Sequence, residues 1–227
     1  MTHPESSIVY GGPGAYSAKV PEYFGGARRD YVGELPRNTK ARILEIGCGD
    51  GATGALALAE GKCGHYCGVE LCSGVAERAK TRISEVVPGN VEQVQLPWDP
   101  VTFDALILSE VLEHLVDPWA TLLKIRPLLR AGALVLASSP NVAQLTVIFM
   151  LLRGEWTLTD FGLMDGTHLR WFTPKTYREL FESCGYVVDS VRALVPPNRK
   201  VQAASMLTLG RFRHLFIGQI DLRAHCE

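Results

Sequence analysis

The strongest constraint on this chain is one run, Ile43-Leu44-Glu45-Ile46-Gly47-Cys48-Gly49-Asp50-Gly51-Ala52-Thr53-Gly54. An apolar stretch meets a carboxylate, glycine then recurs at every second position, and Ala55-Leu56-Ala57-Leu58-Ala59 follows with strong helix formers. That order predicts a strand, a tight loop and a helix. Gly47, Gly49 and Gly51 supply backbone angles that other residues avoid. They let a ligand meet main chain rather than side chain, while the helix directs its unpaired N–H groups at the loop. By its chemistry the run is a nucleotide-binding turn.

Two ligands suit such a turn. The glycine spacing matches a loose dinucleotide fingerprint, with Glu70 near the distance expected of a ribose-binding acid, so NAD is one reading. Glu45 and Asp50 oppose it, because they set two carboxylates beside a pyrophosphate. The same acids suit a cation, and S-adenosylmethionine carries a sulfonium and an ammonium. In its acid, its alternating glycines and its spacing to the next acid, the run resembles motif I of the class I methyltransferases. The cofactor residues expected on this reading begin with Glu45, Gly47, Gly49, Gly51 and Glu70, whose single carboxylate can accept from both ribose hydroxyls.

The chain has 227 residues, which suits one domain, and 47% of them are hydrophobic, enough for a sizeable core. A formal charge of −1 leaves no electrostatic footprint for nucleic acid or anionic lipid, so small-molecule or glycan acceptors are the expected partners. The start, Met1-Thr2-His3-Pro4-Glu5, is neither basic nor apolar, and Leu145 to Leu152 is far shorter than the roughly 20 residues of a membrane span. A cytoplasmic protein is expected. Cys63, Cys67 and Cys72 lack the spacing of paired zinc ligands, and the six cysteines read as small, reduced core residues.

Residues 1–40, rich in glycine and proline, read as an N-terminal arm in which Tyr10, Tyr16, Tyr23 and Phe24 form a flap or pack on the surface, with a short helix over Ala27 to Leu35. Residues 41–227 read as the main domain. After the first helix, strands are expected at His65 to Glu70, just before Gly89, at Phe103 to Ser109 and at Ala133 to Ser139. Ser73 is a candidate cap for the helix through Lys80. Asp117-Pro118 opens a helix to about Leu129 that Arg130-Ala131-Gly132 closes, and Thr173-Pro174 opens another that Gly185 stops. Late strands are expected at Tyr186 to Leu194 and Phe216 to Ala224, with a loop and helix over Pro196 to His214. The alternation predicts an α/β fold with a doubly wound, mostly parallel seven-stranded sheet. In the methyltransferase pattern an aspartate after the third strand holds the adenine amino group. Asn90, followed by Val91, stands there, and its amide oxygen can accept the same bond. Ser109, at the end of the fourth strand, completes the cofactor set.

Ser109-Glu110-Val111-Leu112-Glu113-His114-Leu115 lies where open parallel sheets place their ligands. One helical turn here would put Glu110, Glu113 and His114 on one face, able to bind a hard divalent cation or to act as acid and base. Acids favoured by a helix start and a merely hydrogen-bonded histidine are the structural alternative. The runs Glu45 to Gly54, Ser109 to Pro118, Ser138-Ser139-Pro140-Asn141 and Asp165-Gly166-Thr167-His168-Leu169-Arg170-Trp171-Phe172-Thr173, together with Glu70, resemble a group of bacterial class I methyltransferases often associated with sugar and cell-envelope polysaccharide pathways. The resemblance covers about residues 25–195. The Glu-x-x-Glu-His segment with a later histidine is also similar to small-RNA 2′-O-methyltransferases, where those residues hold a divalent metal, and in part to ubiquinone-pathway O-methyltransferases. It implies Glu110, Glu113, His114 and His168 as ligands of magnesium or manganese; without a metal, His114 or His168 would be the base, with Glu113 beside it.

Gln144 to Trp156 is an apolar insertion after the fifth strand, and about residues 141–170 read as an acceptor lid, with core packing or a homodimer face as alternatives. The function expected is methyl transfer from S-adenosylmethionine to a hydroxyl of a sugar or related polar metabolite. Transfer to a quinone-like lipid or an RNA end, and a catalytically inactive cofactor-binding partner protein, are the rivals.

Overall fold

A computed structural model describes residues 25–195 and 210–227. The flap aromatics Tyr10, Tyr16, Tyr23 and Phe24 and most of the loop and helix expected over 196–214 lie outside those residues. A single sheet carries the fold, with seven strands: β1 (Arg42–Ile46), β2 (His65–Glu70), β3 (Glu85–Pro88), β4 (Phe103–Ser109), β5 (Leu129–Pro140), β6 (Tyr186–Ala193) and β7 (Gln219–Cys226). Their order is β3-β2-β1-β4-β5-β7-β6. All neighbours are parallel except β7, which runs antiparallel to β5 and β6. The chain leaves β1 towards β2 on one side and reaches β4 on the other, so a crevice opens beyond the carboxyl ends of β1 and β4.

Strand periodicity explains both cores. Leu44, Ile46, Leu106 and Leu108 point to the face covered by α4 (Pro118–Ile125) and α6 (Pro174–Ser183). Ile43, Ala105 and Ile107 point to the face covered by α1 (Arg29–Glu34), α2 (Ala52–Ala59) and α3 (Ser73–Ala79). A parallel sheet buried on both faces needs such continuous apolar strands. Glu45 shares the face of Ile43, which drives a carboxylate among buried groups.

The local signals hold with three corrections. Thr173 caps α6 in a reciprocal arrangement with Thr176, and Gly185 follows it at φ +82°. Asp117 caps α4 by accepting from the Ala120 N–H at 2.9 Å. Ser73, in contrast, is the first residue of α3, and no side chain caps that helix. The helix from Pro118 ends at Ile125 and tightens into a 3₁₀ turn over Arg126–Leu128. Pro127 removes an N–H and stops the α-helical ladder. Arg130-Ala131-Gly132 therefore belongs to β5, not to a helix end. The third correction is at the last strand, where Phe216 closes a 3₁₀ turn over Arg213–Phe216 and β7 begins only at Gln219. The helix α5 (Leu145–Leu152) buries only Val147 and leaves Phe149, Leu151 and Leu152 exposed, so core packing does not explain this helix. No helix among the described residues is long and apolar enough to cross a membrane.

Candidate active site

The crevice is a cavity of about 430 Å³, a size usual for small-molecule sites. Gly47, Gly49 and Gly51 all have positive φ, at 71°, 54° and 81°. A Cβ on Gly47 would stand 2.6 Å from Val111 Cγ2, so the first glycine is required by packing as well as by conformation. Gly47 and Gly49 line the cavity. Gly51 does not; it begins α2 in the left-handed region and packs on Ala79, so it shapes the turn from behind.

Two carboxylates frame this end. Glu45 is 3% exposed and accepts from the Tyr66 hydroxyl at 2.9 Å. Burial pushes its carboxyl up to about 7, against the Tyr66 bond and the charge of Arg28. Glu70 is fixed by main chain: Gly49 N–H donates to Oε2 at 3.0 Å and Cys72 N–H to Oε1 at 2.9 Å. Each oxygen keeps a lone pair for a further donor. Burial raises the Glu70 carboxyl too, opposed by the Cys72 and Gly49 bonds. Asn90 and Val91 line the next part of the cavity, where Asn90 Oδ1 accepts from Glu92 N–H at 2.9 Å.

Arg28 was not singled out in the sequence. It enters from just before α1, its guanidinium bonded to the hydroxyls of Ser109 and Ser138 and to Asp30, and stacked 3.7 Å over the Tyr31 ring. Ser109 is thus in the cavity as expected, with its oxygen turned to Arg28. These contacts join residues 81 and 110 positions apart, and no local pattern announces them.

At the other end lies the 3₁₀ turn Leu112–His114. The Glu113 carbonyl accepts from Leu169 N–H at 2.8 Å and Arg170 N–H at 2.9 Å, which ties the segment after Asp165 to the turn. Ligand atoms of Glu113, His114 and His168 consequently lie within 4.8 Å of one another. The His114 and His168 rings stand 4.7 Å apart, and Trp171 and then Trp156 continue the row edge-to-face. Glu110 is outside the cluster. It sits at φ +54°, and the turn begins only at Leu112, so the shared face expected of Glu110, Glu113 and His114 is not formed. Its carboxylate instead faces Ser138 and Gln219, with Arg28 nearby. Glu113 is 1% exposed, and neither carboxylate oxygen has a hydrogen-bond partner among the described residues. Burial, then the charge of Glu110, holds this carboxyl well above the usual range.

A second cluster, His65, Cys67 and Glu85, lies at the opposite end of the sheet. Glu85 is occupied there by His65 at 2.6 Å and Trp98 at 2.8 Å, with Arg42 at 3.7 Å, which makes it a hydrogen-bonded surface network.

A doubly wound sheet with an acidic glycine turn at its switch point is the arrangement on which α/β proteins of this class bind nucleoside-type ligands. The family described as a methyltransferase domain matches residues 18–191, and the chain belongs to it. Among curated relatives, the ubiquinone biosynthesis O-methyltransferase of Aeromonas salmonicida is 26% identical over 154 residues, 65% of this chain and 63% of that protein. The 27-O-demethylrifamycin SV methyltransferase of Amycolatopsis mediterranei is 29% identical over 107 residues, 44% of this chain and 39% of that one. The chain thus spans about three fifths or less of the length of these relatives. A SAM-dependent methyltransferase structure from Archaeoglobus fulgidus shares the fold at a TM-score of 0.65 and 19% identity, over 90% of this chain and 96% of that one. The [4+2]-cyclase SpnF shares it at 0.60 and 13% identity, over 91% and 81%.

Proposed function

We propose that this chain is an S-adenosylmethionine-dependent O-methyltransferase whose acceptor is a hydroxyl on a small molecule with an apolar body. The observation that carries the reading is the meeting of two unlike ends in one cavity. A glycine-lined acidic end suits a cationic nucleoside, and an end lined by His114 and His168, with the buried Glu113 carboxylate close behind them, suits removal of a hydroxyl proton.

The residues present fit the cofactor. Glu45 is the carboxylate for its ammonium, Arg28 the guanidinium for its carboxylate, Glu70 the acceptor for its ribose hydroxyls, and Asn90 with Val91 the surroundings of its base. Bound, it supplies an electrophilic methyl group on a sulfonium. The chain's part is positioning and proton management. Holding a hydroxyl near its target removes much of the entropic barrier, and an imidazole nitrogen of His114 or His168 takes the proton.

Two buried Glu113 oxygens with no hydrogen-bond partner among the described residues are chemically suited to a cation or a proton. If a divalent ion is resident, Glu113, His114 and His168 would hold it, and it would acidify the acceptor hydroxyl. Oxygen ligation suits magnesium or manganese, and two imidazoles move the preference towards manganese, iron or zinc.

For the acceptor, Leu169 is an exposed apolar side chain at the cavity, and Phe149, Leu151, Leu152, Trp156 and Phe161 are exposed on the segment leading to it, which supports an apolar body such as a quinone-like or polyketide ring system. One relative is named for O-methylation in ubiquinone biosynthesis and the other for methylation of 27-O-demethylrifamycin SV, which agrees. A sugar hydroxyl is the second reading, favoured by the exposed Trp156 against Trp171 as a platform for a sugar ring. Labelled S-adenosylmethionine offered with a catechol, a hydroxylated polyketide analogue and nucleotide sugars tests this. Methyl ether formed on the first or second supports the proposal; transfer only to the sugar reverses the order, and tight cofactor binding without transfer to any of them leaves a binding protein.

A further inference from the structure

His114 is held by a short relay. Asp165 is 1% exposed, and its Oδ1 accepts from both the N–H and the hydroxyl of Thr167, at 2.9 and 2.8 Å. The Thr167 hydroxyl oxygen is also 3.1 Å from His114 Nδ1, and the Thr167 carbonyl oxygen is 3.3 Å from the same nitrogen. The proton count is decisive. A hydroxyl has one proton, which Thr167 gives to the carboxylate, so towards His114 its oxygen can only accept; a carbonyl oxygen accepts always. Both contacts therefore require a proton on Nδ1, and in a neutral imidazole the lone pair then sits on Nε2. Main-chain bonds from Leu169 and Arg170 to the Glu113 carbonyl keep the relay in register with the turn that carries His114.

We propose that Asp165 and Thr167 are positioning residues that fix His114 as its Nδ1–H tautomer, so that Nε2 carries the lone pair offered to an acceptor proton or a metal ion. The use of that lone pair rests on the function proposed above; the tautomer does not. An aspartate that holds a histidine through its other nitrogen is the general way of orienting a base or ligand, and here a threonine hydroxyl stands between them.

The tautomer is read directly by long-range ¹H–¹⁵N correlation on the labelled full chain at a pH where imidazole is neutral, with His114→Gln identifying the signals. A pyrrole-type Nδ1 and a pyridine-type Nε2 are expected. Thr167→Val removes the hydroxyl and leaves the carbonyl, so a population of the Nε2–H tautomer should emerge, and kcat should fall about 10- to 100-fold, as for other residues that orient a ligand or base. Adenosylmethionine affinity should stay unchanged, and Thr167→Ser should restore both tautomer and kcat. An Nε2–H tautomer in the unmodified chain overturns the proposal, as does a Thr167→Val chain with unaltered signals. If no acceptor is methylated but the expected tautomer is seen, the proposed function fails and this inference stands.

Discussion

On the proposed function, Glu45 ties cofactor affinity and fold stability to one proton. Its carboxyl is held at about 7 because burial outweighs the Tyr66 bond and the Arg28 charge. A cationic ligand needs the ionised form. At pH 8 about nine tenths of the molecules carry it and at pH 6 about one tenth, so affinity for adenosylhomocysteine should fall about tenfold between them, roughly 1.4 kcal/mol. Proton release on binding should be largest near pH 6 and measurable by calorimetry in buffers of different ionisation enthalpy. Glu45→Gln keeps an oxygen for the Tyr66 hydroxyl and removes the titration. It should flatten the acidic limb and weaken binding by about 1.5–3 kcal/mol at pH 8.

The same substitution should stabilise the uncomplexed fold. A carboxyl whose folded pKa is raised favours the folded state fully below its unfolded value, and that contribution is lost as pH rises from 4.5 through about 7. The loss at pH 8 is at most about 3 kcal/mol, so denaturant unfolding of Glu45→Gln should show higher stability than the parent at pH 8 and near equality at pH 4. Equal affinity of the unmodified chain at pH 6 and pH 8 would refute the assignment, and so would a Glu45→Gln chain with the parental slope.

Arg28→Ala should weaken adenosylmethionine by about 1.5–3 kcal/mol, the scale of a charged hydrogen bond, as read by calorimetry; unchanged affinity would remove Arg28 from the cofactor site. Glu70→Ala should cost a similar amount and also loosen the loop whose Gly49 and Cys72 amides it holds, visible as faster hydrogen exchange there. Chelation should abolish turnover without disturbing cofactor binding if a metal is resident, and His114→Ala and Glu113→Gln should then behave alike. Without a metal, chelator should change nothing, and loss of one histidine base should cost roughly 100- to 10,000-fold in rate.

How much of this was legible depended on how far apart in the chain the partners lie. Glu45, Gly47, Gly49 and Glu70 belong to strand–loop–helix units that close locally, so residue type and spacing were enough to find them. Pro127 was readable as a helix stop, yet the helical composition around it obscured where β5 begins. Glu110 was misjudged because its positive φ is not written in its residue type; asparagine or glycine would have signalled it. His168 meets His114 through amides donated to the Glu113 carbonyl and through Thr167, and main-chain bonds carry no side-chain signature. Arg28 reaches Ser109 and Ser138, and Thr167 reaches His114, across equally distant crossings of the chain, here through side chains.

One contact joins the two ends of the cavity. Val111 follows Glu110 at the exit of β4 and packs where a Cβ on Gly47 would stand, 2.6 Å from its Cγ2. The cofactor loop and the turn carrying Glu113 and His114 therefore share a wall. Gly47→Ala has to push that wall towards the acceptor end and also strain a backbone at φ +71°. Trimming Val111 to alanine removes the first cost and leaves the second, so Gly47→Ala with Val111→Ala should recover part of the lost stability, measured as the shift in unfolding midpoint. If the double variant is no more stable than Gly47→Ala alone, backbone strain accounts for the whole effect, and the two ends are not coupled through this contact.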